Sequence, residues 1–528
     1  MAYGASGIKS VADTGDSSID GILDVYRWSS STLTYGAPVT SSDYGFSYSA
    51  DLDGDGTPTN QDGFSSLDSN QFKALKKILD SDYSGSNAAH AGFSVEGFTK
   101  LEFDLEANNP ANAVIKVGNT GETAGAFGYL PGTTAMSGDV WLGGVGDKPK
   151  DGNYDMMGLR HEIGHALGLT HPHEDNGYGA VPGKHDTREY TVMSYSSYVG
   201  QGPADNTLVD GWSEPQSYMM LDIAALQHMY GANYSTNAGN TVYKWTPSTG
   251  KTKVDGEVAI NPGDNRIYAT IWDGDGKDTF DLSAYDTRLK VDLRPGRYSV
   301  FSEDQLAQIG GDKNDGLARG NIFNAMLHDG DERSLIENAI GGDNNDKLYG
   351  NQARNKLEAG KGNDRLKGYD QKDKLHGGSG KDTLDGGNGD DRLYGDGGRD
   401  VLIGGKGADV LRGGSGNDIF RFKSASHSSK SKSDVIRADG STDAFEGVGK
   451  ADGDLIDLSS IDANTGRNGD QAFSFGTSKG RGDLWLRNVD GDTVVYGNTD
   501  RDDQPEFRLY LDDGRVKASD YTADDFIL

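Results

Sequence analysis

The chain has 528 residues, with 82 acidic and 51 basic side chains and a formal charge of −31. Nucleic acid is therefore not an expected partner, because a phosphate backbone attracts the opposite charge. The chain contains no cysteine, which excludes disulfides and a thiol-based latency switch. With 77 glycines and only 34% hydrophobic residues, it is expected to be loop-rich or repetitive over part of its length.

The first twenty residues are small and polar, and they lack a basic region followed by an apolar stretch. We therefore expect residues 1–18 to be flexible and expect no cleavable Sec-type signal. No apolar run approaches the length of a membrane span, so we expect no transmembrane segment. We further expect a monomer.

An acidic stretch follows at residues 51–62. Counted from its first aspartate, carboxylates fall at positions 1, 3, 5 and 12, with Gly56 at position 6, which is close to an EF-hand loop. These carboxylates belong to Asp51, Asp53, Asp55 and Asp62. The last is Asp rather than Glu, and no helix is predicted before the first, so a calcium site and a solvated acidic turn remain equally open.

The next elements alternate between helix and strand. Residues 70–79 have apolar side chains on one helical face, whereas residues 101–105 and 113–117 alternate or run apolar and are predicted to be strands. Residues 218–230 form another helical pattern, which closes the first domain. We place that domain at residues 19–235 and a second at residues 236–528.

The sequence HEIGHALGLTH at residues 161–171 predicts a zinc site. On a helix His161 and His165 share one face, and Glu162 can take a proton from a water at the metal. Gly168 can adopt a positive φ and turn the chain so that His171 supplies a third ligand. The alternative is two histidines on an ordinary helix, but it does not account for the third histidine and the glycine.

A methionine follows in the sequence Thr191-Val192-Met193-Ser194-Tyr195. The zinc pattern followed by such a methionine resembles the metzincin metalloproteases, and the Met-Ser-Tyr form resembles their serralysin branch. The resemblance implies that Met193 forms an apolar floor beneath the zinc and that Tyr195 also reaches the metal. The alternative is that Met193 is an ordinary core residue.

The same resemblance covers nearly the whole chain apart from the acidic stretch at 51–62. It implies that residues 1–18 are a removed propeptide and that residues 125–144 contain an edge strand on which an extended substrate lies. It places the primed-side pocket in the loops between His171 and Met193 and after Tyr195. It also implies calcium-binding segments before the repeats, with Asp273, Asp278 and Glu337 as the matching acidic positions.

Residues 341–421 divide without a gap into nine nonapeptides of the ideal form Gly-Gly-x-Gly-x-Asp-x-Leu-x. Position 8 is leucine in eight units and Phe420 in the ninth. Such repeats wind into a parallel β-roll, because the strict period places one apolar residue inward in every unit. A disordered Gly/Asp linker would not show this period. The expected fold class is therefore an α+β zincin (metzincin) domain followed by an all-β domain with a parallel β-roll of calcium-binding nonapeptides.

Two nonapeptides make one turn, so alternate units form two columns of position-6 side chains. The odd column contains Asp346, Asp364, Asp382, Asp400 and Asp418, and the even column contains Asn355, Asp373, Asp391 and Asp409. The first two even units lack glycine at positions 2 and 4, where Asn351, Ala353, Tyr369 and Gln371 stand. We therefore expect calcium along the whole odd column, but only towards the C-terminal end of the even column.

The chain ends in Asp525-Phe526-Ile527-Leu528. An acidic residue followed by apolar ones at the C-terminus resembles the serralysin signal for export by an ABC-type (type I) secretion machinery. The resemblance implies a bacterial, extracellular protein.

Together these features predict a secreted, zinc- and calcium-dependent metalloendopeptidase that acts on proteins and peptides. Glu162 would be the general base, and Tyr195 would stabilise the oxyanion. One alternative is a non-enzymatic calcium-binding surface protein, which would not need Glu162 beside two metal ligands. A peptide-binding pseudoprotease ranks last, since the motif residues are intact.

Overall fold

The structure is a computed structural model that describes residues 7–44, 63–82, 88–121, 125–201, 210–311, 313–438, 443–450, 453–476, 478–502, 504–514 and 516–528. The chain divides into two compact units. The N-terminal unit comprises Met1–Asp278 and Pro295–Leu335, and the roll unit comprises Thr279–Arg294 and Ile336–Leu528. The functional limits expected at residues 18 and 235 stay predictions. The acidic stretch at 51–62 lies outside the described residues.

The N-terminal unit combines α-helices with three small sheets and a two-stranded pair. Its helices are α1 (Ser17–Asp20), α2 (Ser69–Leu79), α3 (Val95–Phe98), α4 (Tyr154–Leu167) and α5 (Met220–Tyr230). Its strands are β1 (Ile8–Ser10), β2 (Tyr26–Trp28), β3 (Thr32–Gly36), β4 (Glu102–Leu105), β5 (Ile115–Asn119), β6 (Phe127–Gly128), β7 (Val140–Leu142), β8 (Val242–Trp245), β9 (Thr252–Val254), β10 (Glu257–Ile260), β11 (Ala269–Ile271), β14 (Tyr298–Ser299) and β15 (Ile322–Asn324). The helices and strands expected from the sequence are confirmed to within about two residues at most ends.

One five-stranded sheet positions the site. Its order is β4-β3-β5-β7-β6. The first four strands run parallel, whereas β6 is antiparallel to β7 and lies at the edge. Helix α2 begins with a capping box between Asp68 and Gln71, which satisfies free N–H groups at its first turn. Because β6 is the outermost strand of this sheet, it is the edge strand expected within residues 125–144.

The roll unit consists of two sheets, and successive strands up to β27 belong alternately to one sheet and the other, whereas β28 to β31 all belong to the first. One has the order β12-β16-β18-β20-β22-β24-β26-β31-β30-β29-β28, and the other β13-β17-β19-β21-β23-β25-β27-β32. The strands are β12 (Thr279–Asp281), β13 (Lys290–Asp292), β16 (Asn338–Ile340), β17 (Lys347–Tyr349), β18 (Lys356–Lys361), β19 (Arg365–Asp370), β20 (Lys374–Gly380), β21 (Thr383–Asn388), β22 (Arg392–Gly398), β23 (Val401–Lys406), β24 (Val410–Arg412), β25 (Ile419–Arg421), β26 (Asp434–Arg437), β27 (Leu455–Asp457), β28 (Ser474–Phe475), β29 (Asp483–Val489), β30 (Asp492–Gly497), β31 (Phe507–Asp512) and β32 (Phe526–Ile527).

The nonapeptide region is a parallel β-roll, as the period predicts. Units two apart pair in register, so Leu357 lies opposite Leu375, and Leu366 lies opposite Leu384. The position-8 side chains from Leu348 to Phe420 are at most 2% exposed. Burying each leucine contributes roughly 1.5–3 kcal/mol, and this thin apolar stack is the core of the roll.

The C-terminal tail is part of the roll unit. Strand β32 pairs in parallel with β27. Asp525 is fully buried and accepts hydrogen bonds from the backbone N–H groups of Gly449 and Thr522. Among the residues that the structure describes, no helix is both long and apolar enough to cross a membrane.

Candidate metal centres

Helix α4 and the turn after it bring three histidines together. Gly168 ends the helix with a φ of 104° and donates its N–H to the carbonyls of Gly164 and His165. This left-handed conformation carries little strain in glycine. The returning chain is held to a neighbouring segment by the hydrogen bond from Thr170 N to Ile22 O at 2.9 Å. As a result His171 faces the helix that carries the other two histidines.

The three Nε2 atoms converge on one point. Nε2 of His171 lies 3.2 Å from Nε2 of His161 and 3.1 Å from Nε2 of His165. Three ligands at about 2.0–2.1 Å in a tetrahedral zinc site would be about 3.3 Å apart. The spacing of these side chains therefore fits a single zinc ion.

The other ring nitrogens fix the tautomers. Nδ1 of His161 donates to the carbonyl of Val192 at 2.9 Å, and Nδ1 of His165 donates to that of Leu169 at 2.8 Å. Nδ1 of His171 lies 3.3 Å from the Glu174 carboxylate. Burial lowers the pKa of all three histidines, that of His165 to about 4. Three unprotonated Nε2 lone pairs thus meet at close range, which is the donor set of a cation site.

Tyr195 lies beside the histidine triad, and Met193 lies against the helix that carries two of the histidines. The Tyr195 hydroxyl lies 2.8 Å from Nε2 of His171, and its side chain is half exposed. Met193 is fully buried, and a Cβ added at Gly164 would lie 2.7 Å from its Sδ. Met193 therefore packs directly beneath the helix of the histidines. A buried position of this kind fits an apolar floor beneath the zinc and also an ordinary core methionine. The role of Met193 as a floor therefore stays a prediction.

Glu162 lies in the same cleft and is buried. Burial raises its pKa to about 8, although the Gly128 backbone N–H donates a hydrogen bond to its carboxylate and opposes that shift. A Cβ at Gly128 would lie 2.4 Å from the Glu162 carbonyl oxygen, so only glycine lets β6 approach the helix so closely. A cavity of about 290 Å³ runs along this contact and includes all three histidines.

Asp222 on α5 supports the site, and the sequence reasoning missed it. This fully buried carboxylate accepts hydrogen bonds from the Thr191 hydroxyl and from Val192 N at 2.8 Å. The carbonyl of Val192 in turn accepts a hydrogen bond from Nδ1 of His161. The available signal was the only carboxylate of this helix, flanked by Met220, Leu221, Ile223 and Ala224, because burial of an unpaired charge is costly.

The position-6 aspartates form two columns of buried carboxylates in the roll unit. From Asp364 and Asp373 onward, Oδ1 accepts the backbone N–H of the position-6 residue 18 residues earlier, as from Asp382 N to Asp400 at 2.8 Å. The second oxygen, Oδ2, is buried and has no hydrogen-bond partner among the described residues in Asp364, Asp373, Asp382, Asp391, Asp400, Asp409 and Asp418. Buried carboxylate oxygens of this kind are the ligands that Ca²⁺ prefers.

The first two units of the even column differ from the ideal repeat. At its start, Asn355 accepts the N–H of Asn351 and donates to the carbonyl of Glu337 and to the Asn351 side chain. Its amide oxygen and both of its N–H groups thus each have a partner within the protein. In the next unit Tyr369 and Gln371 adopt φ values of 87° and 69°. They therefore keep a positive φ, as Gly378 and Gly380 do at the same positions of the next unit, with φ values of 98° and 141°.

Both columns continue beyond the nonapeptides, which the sequence reasoning missed. Asp409 N donates to Asp434 at 2.9 Å, and Asp418 N donates to Asp454 at 2.7 Å. Oδ2 of Asp434 is buried without a hydrogen-bond partner among the described residues, whereas Oδ2 of Asp454 accepts Glu446 N. Asp454 follows Asp418 by four periods of nine and was detectable, but Asp434 breaks the period.

Two of the three remaining calcium candidates lie in the N-terminal unit. Asp273 and Asp278 are buried, and burial together with the Asp278 charge raises the pKa of Asp273 to about 9. The Tyr243 hydroxyl donates to Asp273 at 2.7 Å, and Thr241 N donates to Asp278 at 2.8 Å. Glu337 belongs to the roll unit. Calcium binding at these three residues stays a prediction.

Comparison with known proteins agrees with this architecture. A family model described as Peptidase M10 serralysin C terminal matches residues 232–496, half of the chain. A second, described as Metallo-peptidase family M12B Reprolysin-like, matches residues 111–214, which include the histidine triad.

Individual relatives match over part of their length. The chain is 35% identical to a serralysin of Proteus mirabilis over 44% of each chain. It is 33% identical to the metalloprotease AprA of Pseudomonas entomophila over 48% of this chain and 50% of that one. The chain thus spans about half the length of the curated relatives it matches.

A solved subunit of the Azotobacter vinelandii mannuronan C5-epimerase is 28% identical over 30% of this chain and 80% of that one, with a TM-score of 0.23. That score is too low to indicate a common fold. The family model over residues 232–496 and the serralysin relatives agree with each other. The chain therefore belongs to the serralysin family of M10 peptidases.

Proposed function

We propose that the protein is a secreted zinc metalloendopeptidase that hydrolyses peptide bonds in extracellular proteins and requires calcium for its fold. The observation that supports it best is the meeting of three unprotonated Nε2 atoms at 3.1–3.2 Å in one cleft. Glu162, a buried carboxylate, lines the same cleft. Neither a calcium-binding surface protein nor a peptide-binding pseudoprotease requires this combination.

Each residue of the cleft has a role in the proposed reaction. His161, His165 and His171 would hold the zinc. When bound, zinc lowers the pKa of a water molecule to roughly 7 and polarises a carbonyl group. Glu162 accepts the proton of the attacking water and passes it to the leaving amine. The Tyr195 hydroxyl donates a hydrogen bond to the developing oxyanion.

The edge of the five-stranded sheet provides a surface for the substrate backbone. Strand β6 is outermost and contributes Phe127 and Gly128 to the cavity of the triad. An extended peptide can pair with such an edge as one more strand. That pairing would place a scissile carbonyl beside Glu162.

Casein cleavage with and without a zinc chelator tests the proposal. We expect cleavage to stop when zinc is chelated and to return when zinc is added back in the presence of calcium. Keeping calcium constant separates loss of catalysis from unfolding of the roll. Cleavage that persists after zinc has been removed, as verified by elemental analysis, would disprove the proposal.

Tyr195→Phe should slow turnover but not abolish it. Removing one oxyanion donor typically costs about 10²–10³ in kcat, and the change leaves all three histidines in place. The measurement is kcat and KM on a quenched fluorescent peptide. Tyr178→Phe, which removes a hydroxyl that donates to Val11 O instead, is the matched control. Unchanged turnover in Tyr195→Phe would remove this residue from the mechanism.

We propose that the calcium ions lie between successive turns of the roll, against the buried Oδ2 atoms. Occupancy should be complete along the odd column, from Asp346 to Asp418. In the even column it should be highest between Asp391 and Asp409 and absent at Asn355. A crystal structure grown in calcium measures this. Full occupancy between Asn355 and Asp373 together with gaps in the odd column would contradict it.

We propose that the tail at residues 525–528 directs export through an ABC-type secretion machinery. Removing these four residues should abolish secretion from the native host but leave the peptidase activity of purified protein. Deleting residues 1–6 at the other terminus is the control and should not affect export. Normal secretion of the shortened protein, measured in culture supernatant, would refute the assignment.

A further inference from the structure

Beside the triad lies a second, smaller cavity of about 190 Å³. It shares His161, Glu162 and Tyr195 with the cleft, so it opens next to the reacting centre. Part of its wall is Arg188 and Ser194, from the chain between His171 and Tyr195. That is the region where the primed-side pocket is expected.

The pocket is lined by both apolar and polar residues, among them Tyr154, Glu162 and Tyr195, and it is cationic at Arg188. Val145 and Met157 supply aliphatic walls, and Gly158 leaves room against Val145, where a Cβ would lie 2.3 Å from Cγ1. Arg188 is the only arginine or lysine among the described lining residues. An occupant with an aliphatic stem and a polar end therefore suits the pocket better than a wholly apolar one.

The guanidinium of Arg188 is held in place with part of its donors unused. Its Nη1 donates to both oxygens of Glu214 at 2.8 and 2.9 Å, and the two side chains are 12% and 5% exposed. Its Nε makes a longer contact, 3.4 Å, with Ser194 O. No hydrogen bond from Nη2 to another described residue is present, so Nη2 can donate to a ligand.

We propose that Arg188 determines specificity by donating from Nη2 to the side-chain carbonyl or carboxyl oxygen of the substrate residue on the amine side of the scissile bond. This inference rests on the proposed peptidase function. A substrate side chain with two methylenes between its Cα and its polar group would pack its methylenes against Val145 and Met157. Glutamine and glutamate have this length and therefore fit best. The preferred substrates are thus peptides with Gln or Glu directly after the cleaved bond.

Glu214 explains why the two side chains should both be accepted. It neutralises the guanidinium charge, so the pocket does not require an anion. A donor group held in this way still rejects side chains that lack an acceptor, because its N–H groups would then lose their water without a replacement partner.

The test uses the full-length protein and peptides that differ only after the scissile bond, with Gln, Glu or norleucine there. We expect kcat/KM for Gln and Glu to exceed that for norleucine by about 10–100-fold. In Arg188→Lys, which can keep the ion pair with Glu214 but lacks Nη2, this ratio should fall to near one.

Two further variants control for stability. Arg319→Lys changes an arginine that likewise pairs with a buried glutamate, Glu189, away from the pocket, and should leave the ratio unchanged. If Arg188→Lys does not fold, the double change Arg188→Met with Glu214→Leu replaces the pair by apolar side chains and should reverse the preference towards norleucine.

The outcomes separate the two proposals. A parent protein that cleaves all three peptides but prefers norleucine, or an unchanged ratio in Arg188→Lys, would overturn the specificity inference alone. A zinc-loaded parent that cleaves neither casein nor any peptide would overturn the proposed function, and the inference with it. The parent comparison needs no variant, so folding defects cannot obscure it.

Discussion

Glu162→Gln should keep its zinc and lose about 10²–10⁴-fold in kcat. Glutamine has nearly the same shape as glutamate but cannot accept a proton, and general base catalysis typically contributes a factor of this size. The three histidines keep their Nδ1 hydrogen bonds to Val192, Leu169 and Glu174, so the metal site stays intact. Zinc content by elemental analysis and single-turnover cleavage of a fluorescent peptide measure the two effects.

The matched control is Glu174→Gln, which changes another carboxylate of the same cavity. Glu174 is half exposed and contacts Nδ1 of His171 rather than the reacting centre. Its replacement should weaken zinc binding modestly and leave most of the turnover once zinc is saturating. A Glu162→Gln protein that holds zinc and cleaves near the parent rate would show that another group is the base.

The parts of the molecule that the sequence predicted well depend on short-range spacing. The His161–His171 segment encodes its own geometry, because two ligands one helical turn apart and a left-handed Gly168 need no information from elsewhere. The roll is similar, since each nonapeptide repeats the same local choice of glycine, aspartate and leucine. The pairing of Leu357 with Leu375 then follows from the period alone.

The parts that the sequence did not predict depend on contacts between distant segments. Asp222 reaches the turn at Thr191 and Val192 from a helix some 30 residues away. Arg188 pairs with Glu214 across 26 residues, and nothing in either local sequence indicates this. Such pairings arise from the packing of α4 and α5 around the core, which periodicity does not encode.

The even units depart from the consensus glycines at several loop positions. Tyr369 and Gln371 stand where the ideal repeat has glycine, and both adopt positive φ. Non-glycine residues rarely take this conformation without support from their surroundings. Tyr369 receives such support, since the Arg294 and Lys367 cations lie 5.0 and 4.7 Å from its ring centroid. The loop can therefore adopt this conformation without the consensus glycines.

When calcium is removed, the roll should unfold at alkaline pH and stay folded at acid pH. Burial raises the pKa of the column carboxyls, to about 6 in Asp364 and about 8 in Asp373 and Asp400. A raised pKa means that the folded state binds protons more tightly than the unfolded chain, whose aspartates titrate near 3.9. The calcium-free roll is therefore most stable below about pH 4 and loses stability as pH rises through the range from 6 to 8.

Calcium should reverse this dependence, because it binds the deprotonated carboxylates in place of protons. With chelator, the unfolding midpoint should drop by about 10 °C or more between pH 5 and pH 9, given roughly 2–4 °C per kcal/mol for a unit of this size. With calcium it should rise over the same interval. Hydrogen exchange of residues 341–421 in the full-length protein reports on the roll separately from the N-terminal unit.

A pair of variants assigns the effect to the columns. Asp400→Asn removes a titrating carboxyl from the middle of the odd column, so it should flatten the pH dependence of the chelated protein and weaken the response to calcium. Asp385→Asn changes an aspartate on the outside of the roll, where it pairs with Lys423 at 3.1 Å, and should alter neither. Equal protection at pH 5 and pH 9 in chelator, with no gain from calcium, would mean that the buried carboxylates do not bind the ion.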